Sequence, residues 1–205
     1  MRTGGIVLCG GRSSRMGRPK AWLPFGDELM LPRIVRILRE VVEPIVVVAA
    51  TDQEVPPLPE EVAIVRDDEE GRGPLQGLAA GLAALAGKAE AAYLSSCDVP
   101  FLKPAFVRRV IELLGDNAIS VPHVAGFHHP LAAAYRIEVL PEVQKLLAAN
   151  RLRPVYLFET APTRILDAHD FADVDPTFES LRNLNTPEEY AASLAILGGE
   201  GCHTK

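Results

Sequence analysis

The sequence predicts an α/β fold with a mainly parallel mixed sheet flanked by helices. Two observations carry this prediction. Short apolar, mostly β-branched runs alternate with helical stripes through the first half of the chain. The first run, Ile6–Cys9, ends in the pair Gly10-Gly11, with Arg12, Arg15, Arg18 and Lys20 close behind. Continuous apolar strands separated by helices imply a sheet covered on both faces. In such open sheets ligands gather at the carboxyl ends of the strands, where this glycine loop sits.

The runs Ile6–Cys9, Ile45–Ala49, Ala63–Arg66 and Ala92–Ser95 read as strands. Leu31, Ile34, Val35, Leu38, Val41 and Val42 recur at helical spacing and predict one amphipathic helix. Pro74–Ala86 predicts a second helix, with proline in its first turn and Gly77 and Gly81 available for close packing on the sheet. Pro104–Leu114 predicts a third. Later come strands at Ala118–Val121, Leu131–Tyr135 and Arg164–Leu166, with a helix at Glu138–Ala149. Thr186-Pro-Glu-Glu189 is a helix start: a capping hydroxyl, a proline and two acids facing the positive helix end. One domain over residues 1–196 is expected, with residues 197–205, rich in glycine, as a flexible tail.

Bulk composition narrows the function classes. The 205 residues are 48% apolar and 23% charged, an ordinary globular balance that excludes wholesale disorder. A net charge of −6 gives no electrostatic reason to bind nucleic acid or an anionic membrane, so the cations at the first loop point to a small anionic ligand. Three scattered cysteines, Cys9, Cys97 and Cys202, do not form a disulfide framework or a zinc site. The longest strongly apolar stretch, Gly77–Gly87, is too short to span a bilayer, and no export signal is visible. A cytoplasmic protein is expected.

The loop has a specific chemistry. Gly10 and Gly11 lack a Cβ, so backbone N–H groups can approach an anion closely while Arg12, Arg15 and Lys20 supply full charge. It is not a P-loop, because no hydroxyl follows Lys20, and it is not a dinucleotide fingerprint, because its glycines are adjacent and a proline follows. At the end of the fourth strand, Ser95-Ser-Cys-Asp-Val-Pro100 places Asp98 toward the same crevice. A single carboxylate suits Mg2+, which completes its shell with water and phosphate oxygens; a turn-forming aspartate before Pro100 is the simpler alternative.

Leu8-Cys-Gly-Gly-Arg-Ser-Ser-Arg-Met-Gly-Arg-Pro-Lys20 resembles the Leu-Ala-Gly-Gly-x-Ser-x-Arg-Met-Gly-x-x-Lys motif of the MobA-like nucleotidyltransferases, above all the molybdenum cofactor guanylyltransferases. Cys9 departs from the usual alanine. The resemblance implies a Rossmann-like, nucleotide-diphospho-sugar transferase (GT-A-like) fold. It implies transfer of GMP from Mg-GTP to the phosphate of molybdopterin or molybdenum cofactor, with Mg2+ held by Asp98. Residues Leu8, Cys9, Gly10, Gly11, Arg12, Lys20, Asp67, Gly73, Gly77 and Asp98 would contact the nucleotide, with Arg15, Lys20 and Asp98 catalytic. Gly73-Pro-Leu-Gln-Gly77 departs from the family's Gly-Pro-Leu-Ala-Gly at Gln76, while Asp68, Glu69 and Glu70 read as a solvated acidic loop.

Asn183-Leu-Asn-Thr-Pro-Glu188 resembles the guanylyltransferase ending, where cytidylyltransferase relatives carry aspartates. Asn183 and Asn185 then belong to the acceptor site; as isolated residues they suit turn and capping roles. The resemblance extends to His129 and Arg153 in the acceptor region, where a turn histidine and a surface cation are equally ordinary readings. A CTP-using or sugar-phosphate relative is the alternative enzyme, and a nucleotide-sensing or cofactor-carrier protein the non-enzyme one. Delivery or molybdoenzyme-maturation proteins are the expected partners.

Overall fold

Alternation along the strands distributes the core between two layers. In the computed structural model, which describes residues 1–10, 18–67 and 71–200, the first-half runs become β1 (Thr3–Leu8), β4 (Ile45–Ala50), β5 (Ala63–Asp67) and β6 (Ala91–Ser96). Ile6, Val46, Val48, Ala92 and Leu94 face one layer; Val7, Val47, Ala49 and Tyr93 face the other. All six residues of β6 are buried, and its apolar residues Ala91 to Leu94 serve both faces.

The first layer contains α2 (Gly73–Leu85) and α4 (Leu140–Ala148), and the second α1 (Met30–Arg39) and α3 (Pro104–Glu112). Strands β1, β4, β5 and β6 pair in parallel, in the order β6-β1-β4-β5. Beyond β6 the sheet continues with β9 (Ala133–Arg136), β7 (Ile119–Val124) and β10 (Thr163–Leu166), and β9 runs antiparallel to both of its neighbours. β8 (Phe127–His128) folds back on β7. The expected mainly parallel mixed sheet with helices on both faces is the observed one.

Gly77 and Gly81 set the distance of α2 from the sheet. A Cβ on Gly77 would lie 2.8 Å from Leu8, and one on Gly81 2.6 Å from Ile6. The helix therefore rests directly on β1.

Element limits differ from expectation where proline or exposure intervenes. α1 stops at Arg39, before Val41 and Val42, because Pro44 disfavours helix at the residue before it; Val42 still packs in the core. The helix expected from Glu138 is a 3-10 turn at Ile137–Val139 and then α4, whose Pro141 suits a first turn and not an interior. β9 starts at Ala133 because Pro130–Ala132 forms another 3-10 turn. β5 and β10 are edge strands, and Ile64 and Ile165 stay exposed.

A hairpin of β2 (Pro24–Phe25) and β3 (Glu28–Leu29) turns at Gly26, whose φ of 65° favours glycine. Gly26-Asp27 between Phe25 and Leu29 is the local signal for it. The hairpin packs Phe25 with Leu23, Met30 and Leu184 in a third, small cluster, bordered by Phe101, Tyr190, Leu194 and Leu197. The last three belong to α5 (Pro187–Glu200). α5 runs to Glu200, and Leu197 packs on the hairpin cluster.

Candidate active site

The carboxyl ends of β1, β4 and β6 lie side by side, and their register persists one residue beyond the strands. Cys9 N–H donates to Val48 O at 2.8 Å, and Cys97 N–H to Leu8 O at 3.1 Å. Gly10 and Asp98 are the next residues on each chain, so the start of the glycine loop and the strand-end carboxylate are neighbours by main-chain pairing. Gln53 braces this rim. Its Nε2 donates to Cys9 O at 2.9 Å, and its Oε1 accepts from Ala50 N–H at 3.3 Å.

Asp98 is buried, with 8% of its surface exposed, and both carboxylate oxygens are engaged. Ser96 Oγ donates to Oδ1 at 2.5 Å, and Lys20 Nζ to Oδ2 at 2.6 Å. The same ammonium donates to Asn185 Oδ1 at 2.9 Å. Lys20 opens a 3-10 turn after Pro19, which fixes its entry into the site. Residues 20, 98 and 185 come from the first, middle and last parts of the chain and meet at one ammonium group.

Asn185 is placed from both sides. Leu184 is fully buried in the hairpin cluster, and its N–H donates to Asp98 O at 2.9 Å. On the other side Glu189 Oε2 accepts from the N–H groups of Asn185 and Thr186, while Thr186 Oγ1 accepts from Glu189 N–H. This is the reciprocal helix cap that Thr186-Pro-Glu-Glu189 predicts.

The loop after Asp98 is held by cations. Arg33 Nε donates to Pro100 O at 2.8 Å, and the Arg182 guanidinium lies over the Phe101 ring at 5.4 Å. Asp175, with no exposed surface, then ties the loop to the asparagine segment. It accepts from Lys103 Nζ at 2.8 Å and from Ser180 N–H at 2.8 Å, while Lys103 N–H donates to Ser180 Oγ at 3.1 Å. Burial pushes the Asp175 carboxyl up, but the hydrogen bonds from Lys103 and Ser180 outweigh it and hold it below the ordinary carboxylate range.

Other expected site residues stand apart from this cluster. Asp67 ends β5, two strands from β1, where Thr51 Oγ1 donates to its carbonyl at 3.2 Å; Asp67 and Asp98 therefore flank β1 from opposite sides. Gly73 opens α2 with φ of 71°, and its Cβ position is 3.8 Å from Leu152 O, which sets the Arg153 segment beside the start of α2. Arg153 and Asn183 are exposed. His129 follows β8, its N–H bonded to Pro122 O, and burial lowers its imidazole affinity for protons, helped by His123 and His128. Among the described residues, no hydrogen bond joins Asp67, His129, Arg153 or Asn183 to Lys20, Asp98 or Asn185. Gly11, Arg12, Arg15 and the acidic residues Asp68, Glu69 and Glu70 lie outside the described residues, as does Cys202.

Three contributors had gone unnoticed in the sequence. Ser96 carries a usable signal, since residues two apart on a strand share a face and Ser96 precedes Asp98 by two. Gln53 and Asp175 carry none, because their partners lie far away in the chain. The rim also holds the thiols of Cys9 and Cys97 in one core layer, and Gln53 Nε2 approaches Cys9 Sγ at 3.2 Å. The hydrogen bond with Cys9, and burial after it, push the Cys97 thiol well up; the bond from Cys97 holds Cys9 below its usual value.

Comparison with known proteins gives this geometry its relatives. The model of the MobA-like NTP transferase domain matches residues 5–163. The chain is 33% identical to the molybdenum cofactor guanylyltransferase of Rhodobacter capsulatus, covering 93% of this chain and 94% of the relative. It is 35% identical to the probable molybdenum cofactor guanylyltransferase of Mycobacterium avium, with 94% and 95% covered. Among solved structures, molybdopterin-guanine dinucleotide biosynthesis protein A from Archaeoglobus fulgidus superposes with a TM-score of 0.78 at 17% identity, covering 96% of this chain and 99% of that one. A 4-diphosphocytidyl-2C-methyl-D-erythritol synthase from Anaerococcus prevotii shares the fold with a TM-score of 0.71 at 13% identity, with 96% of each chain covered. With Gly10 past β1, a buried aspartate past β6 and a lysine bridging it to a late asparagine, the chain belongs to the MobA-like NTP transferase family, among relatives named molybdenum cofactor guanylyltransferase.

Proposed function

We propose that this chain transfers GMP from Mg-GTP to the phosphate of molybdopterin, in its free or molybdenum-loaded form, with release of pyrophosphate. The observation that carries the reading is the meeting of Lys20, Asp98 and Asn185 beside Gly10 at the carboxyl ends of β1 and β6. An acceptor phosphate oxygen attacks the α-phosphorus, and the bond to the β-phosphate oxygen breaks, so pyrophosphate leaves with that electron pair. The acceptor is already anionic and needs no serine, cysteine or histidine nucleophile. Catalysis reduces to alignment and neutralisation of charge.

The donor set fits a hard cation: the Asp98 carboxylate, the Ser96 hydroxyl and the Asn185 amide oxygen are all oxygen ligands. Asp98 would hold Mg2+ together with phosphate oxygens, and the ion would neutralise charge on the transferring and leaving phosphates. A protein from Mycobacterium tuberculosis that shares the fold was solved as a complex with manganese, which supports the use of a divalent cation. Lys20 sets a positive charge beside Asp98. Its ammonium serves the phosphates, and Arg15 adds a second cation to them. Gly10 and Gly11 offer backbone N–H groups to the same phosphates, with Arg12 beside them. Asp67, on the far side of β1, accepts from the guanine edge, and Gly73 lets the nucleotide approach the start of α2, which Gly77 seats on Leu8. Asn183, Asn185, His129 and Arg153 form the acceptor side.

The Asn183-Leu-Asn185 ending favours guanine over cytosine. Pyrophosphate release is measured with GTP, CTP and ATP separately, each with molybdopterin and Mg2+. Release with GTP alone is the expected result. Release with CTP alone overturns the base assignment, and none with any nucleotide overturns the enzyme.

A further inference from the structure

We propose that Cys9 and Cys97 form a modification site: a peroxide oxidises them to a reversible disulfide that stops turnover. This rests on the nucleotidyltransferase reading only for its effect on activity, not for the crosslink itself.

The two residues extend neighbouring parallel strands in register. Leu8 pairs with Ser96 at the last step of the ladder, and Cys97 N–H bonds to Leu8 O one residue on. Adjacent strands lie about 4.8 Å apart, inside the range of about 4.4–6.8 Å between α-carbons that a disulfide spans. Both side chains pack into the same core layer. Both residues keep a sliver of exposure at the rim, 6% for Cys9 and 5% for Cys97. Gln53 Nε2 holds the Cys9 sulfur at 3.2 Å, so one member of the pair is oriented before any reaction.

The chemistry balances with hydrogen peroxide as the named oxidant. The Cys9 sulfur attacks one peroxide oxygen, the O–O bond breaks, and one water leaves after proton transfer, giving a sulfenic acid. The Cys97 sulfur then attacks the Cys9 sulfur, the S–O bond breaks, and a second water leaves. Two thiols lose two hydrogens and one peroxide becomes two waters. A dithiol such as dithiothreitol reverses the crosslink by exchange.

The location makes the bond consequential. Cys9 precedes Gly10 and Cys97 precedes Asp98. A disulfide needs its β-carbons about 3.8 Å apart, closer than adjacent parallel strands normally hold them. Closing it pulls on both residues next to the phosphates and on the Gln53 brace. Isolated buried cysteines are inert. What distinguishes this pair is its in-register placement on neighbouring strands at the mouth of the site. Transient, redox-sensing disulfides are also the kind a reducing compartment allows.

The full-length protein is reduced, treated with hydrogen peroxide, and digested without reductant for mass spectrometry. The expected product is a Cys9–Cys97 linked peptide, with intact mass lower by two hydrogens. Pyrophosphate release from GTP should fall at least tenfold and return with dithiothreitol. Cys97→Ser should give neither the linked peptide nor the reversible loss, whatever its own starting rate, and Cys97→Ala provides the same test should the serine variant misfold. Sulfinic or sulfonic acid at either residue without a linked peptide overturns the proposal. So does a linked peptide that leaves turnover within twofold of the reduced protein. A reduced protein inactive with every nucleotide refutes the functional reading instead, and the linked peptide alone then decides the crosslink.

Discussion

The ends of β1 and β6 and the segment carrying Asn185 reach the same cluster by different means. The first pair is placed by main-chain bonds of a sheet whose central strand is buried along its whole length. The second hangs on a few long-range contacts: one main-chain bond to Asp98, the buried Leu184, and the carboxylate of Asp175. Sheet register spreads its support over many bonds, so single changes there mostly alter stability. A stapled segment concentrates support, so single changes there move the site itself. Lys20 stands at the junction, bonded to both.

The largest effect is expected at that junction. Lys20→Ala should lower kcat/KM about a hundredfold or more, the scale of losing one electrostatic contact to a transition state, with little change in Tm. Steady-state pyrophosphate release alongside thermal melting checks this. Unchanged turnover would remove Lys20 from the chemistry.

Next comes the staple. Asp175→Ala leaves the N–H groups of Ser180 and Glu179 unpaired, while Lys103, partly exposed, regains water. A loss of about 2–3 kcal/mol follows, together with a raised KM for the acceptor, because the segment leading to Asn185 loses one of its anchors. Gly81→Ala is the matching change in the sheet half, since its new Cβ would sit 2.6 Å from Ile6. It should cost about 1–2 kcal/mol by overpacking yet leave KM and kcat nearly unchanged below its melting point. Denaturant unfolding and kinetics on both variants sharpen the contrast. Equal kinetic damage in the two would break it.

The smallest effect is a pH dependence of the staple. The folded Asp175 carboxyl is held below its unfolded value of about 3.9, so the unfolded chain binds the proton first. Its contribution is therefore present above that value and is lost as pH falls through the lower folded one. Unfolding followed from neutral pH into acid should show a steeper decline for the parent chain than for Asp175→Asn. Parallel curves would mean the carboxylate charge does not matter.

Legibility in the sequence follows the same division. Strand ends are set by periodicity, so Gly10 and Asp98 could be placed at one edge from alternating apolar runs alone. Asn185 could not; its residue type suits a helix cap equally well, and only its resemblance to relatives marked it for the acceptor site. Asp175 and Gln53 were illegible because a carboxylate or an amide in an irregular stretch looks the same whether it is solvated or paired with a group 72 or 44 residues away. Ile64 and Ile165 lie in strands as expected, but β-branched residues predict strand and not whether that strand lies at an edge. The closing glycines suggested a loose end, and the anchoring of Leu197 on the hairpin cluster could be seen only in three dimensions.

The bond from Lys20 to Asn185 joins residues 165 positions apart in the chain. During synthesis at about 5–20 residues per second, roughly 8–33 s separate the appearance of these two partners. A nascent polypeptide thus holds most of its scaffold well before Asn185 can reach Lys20.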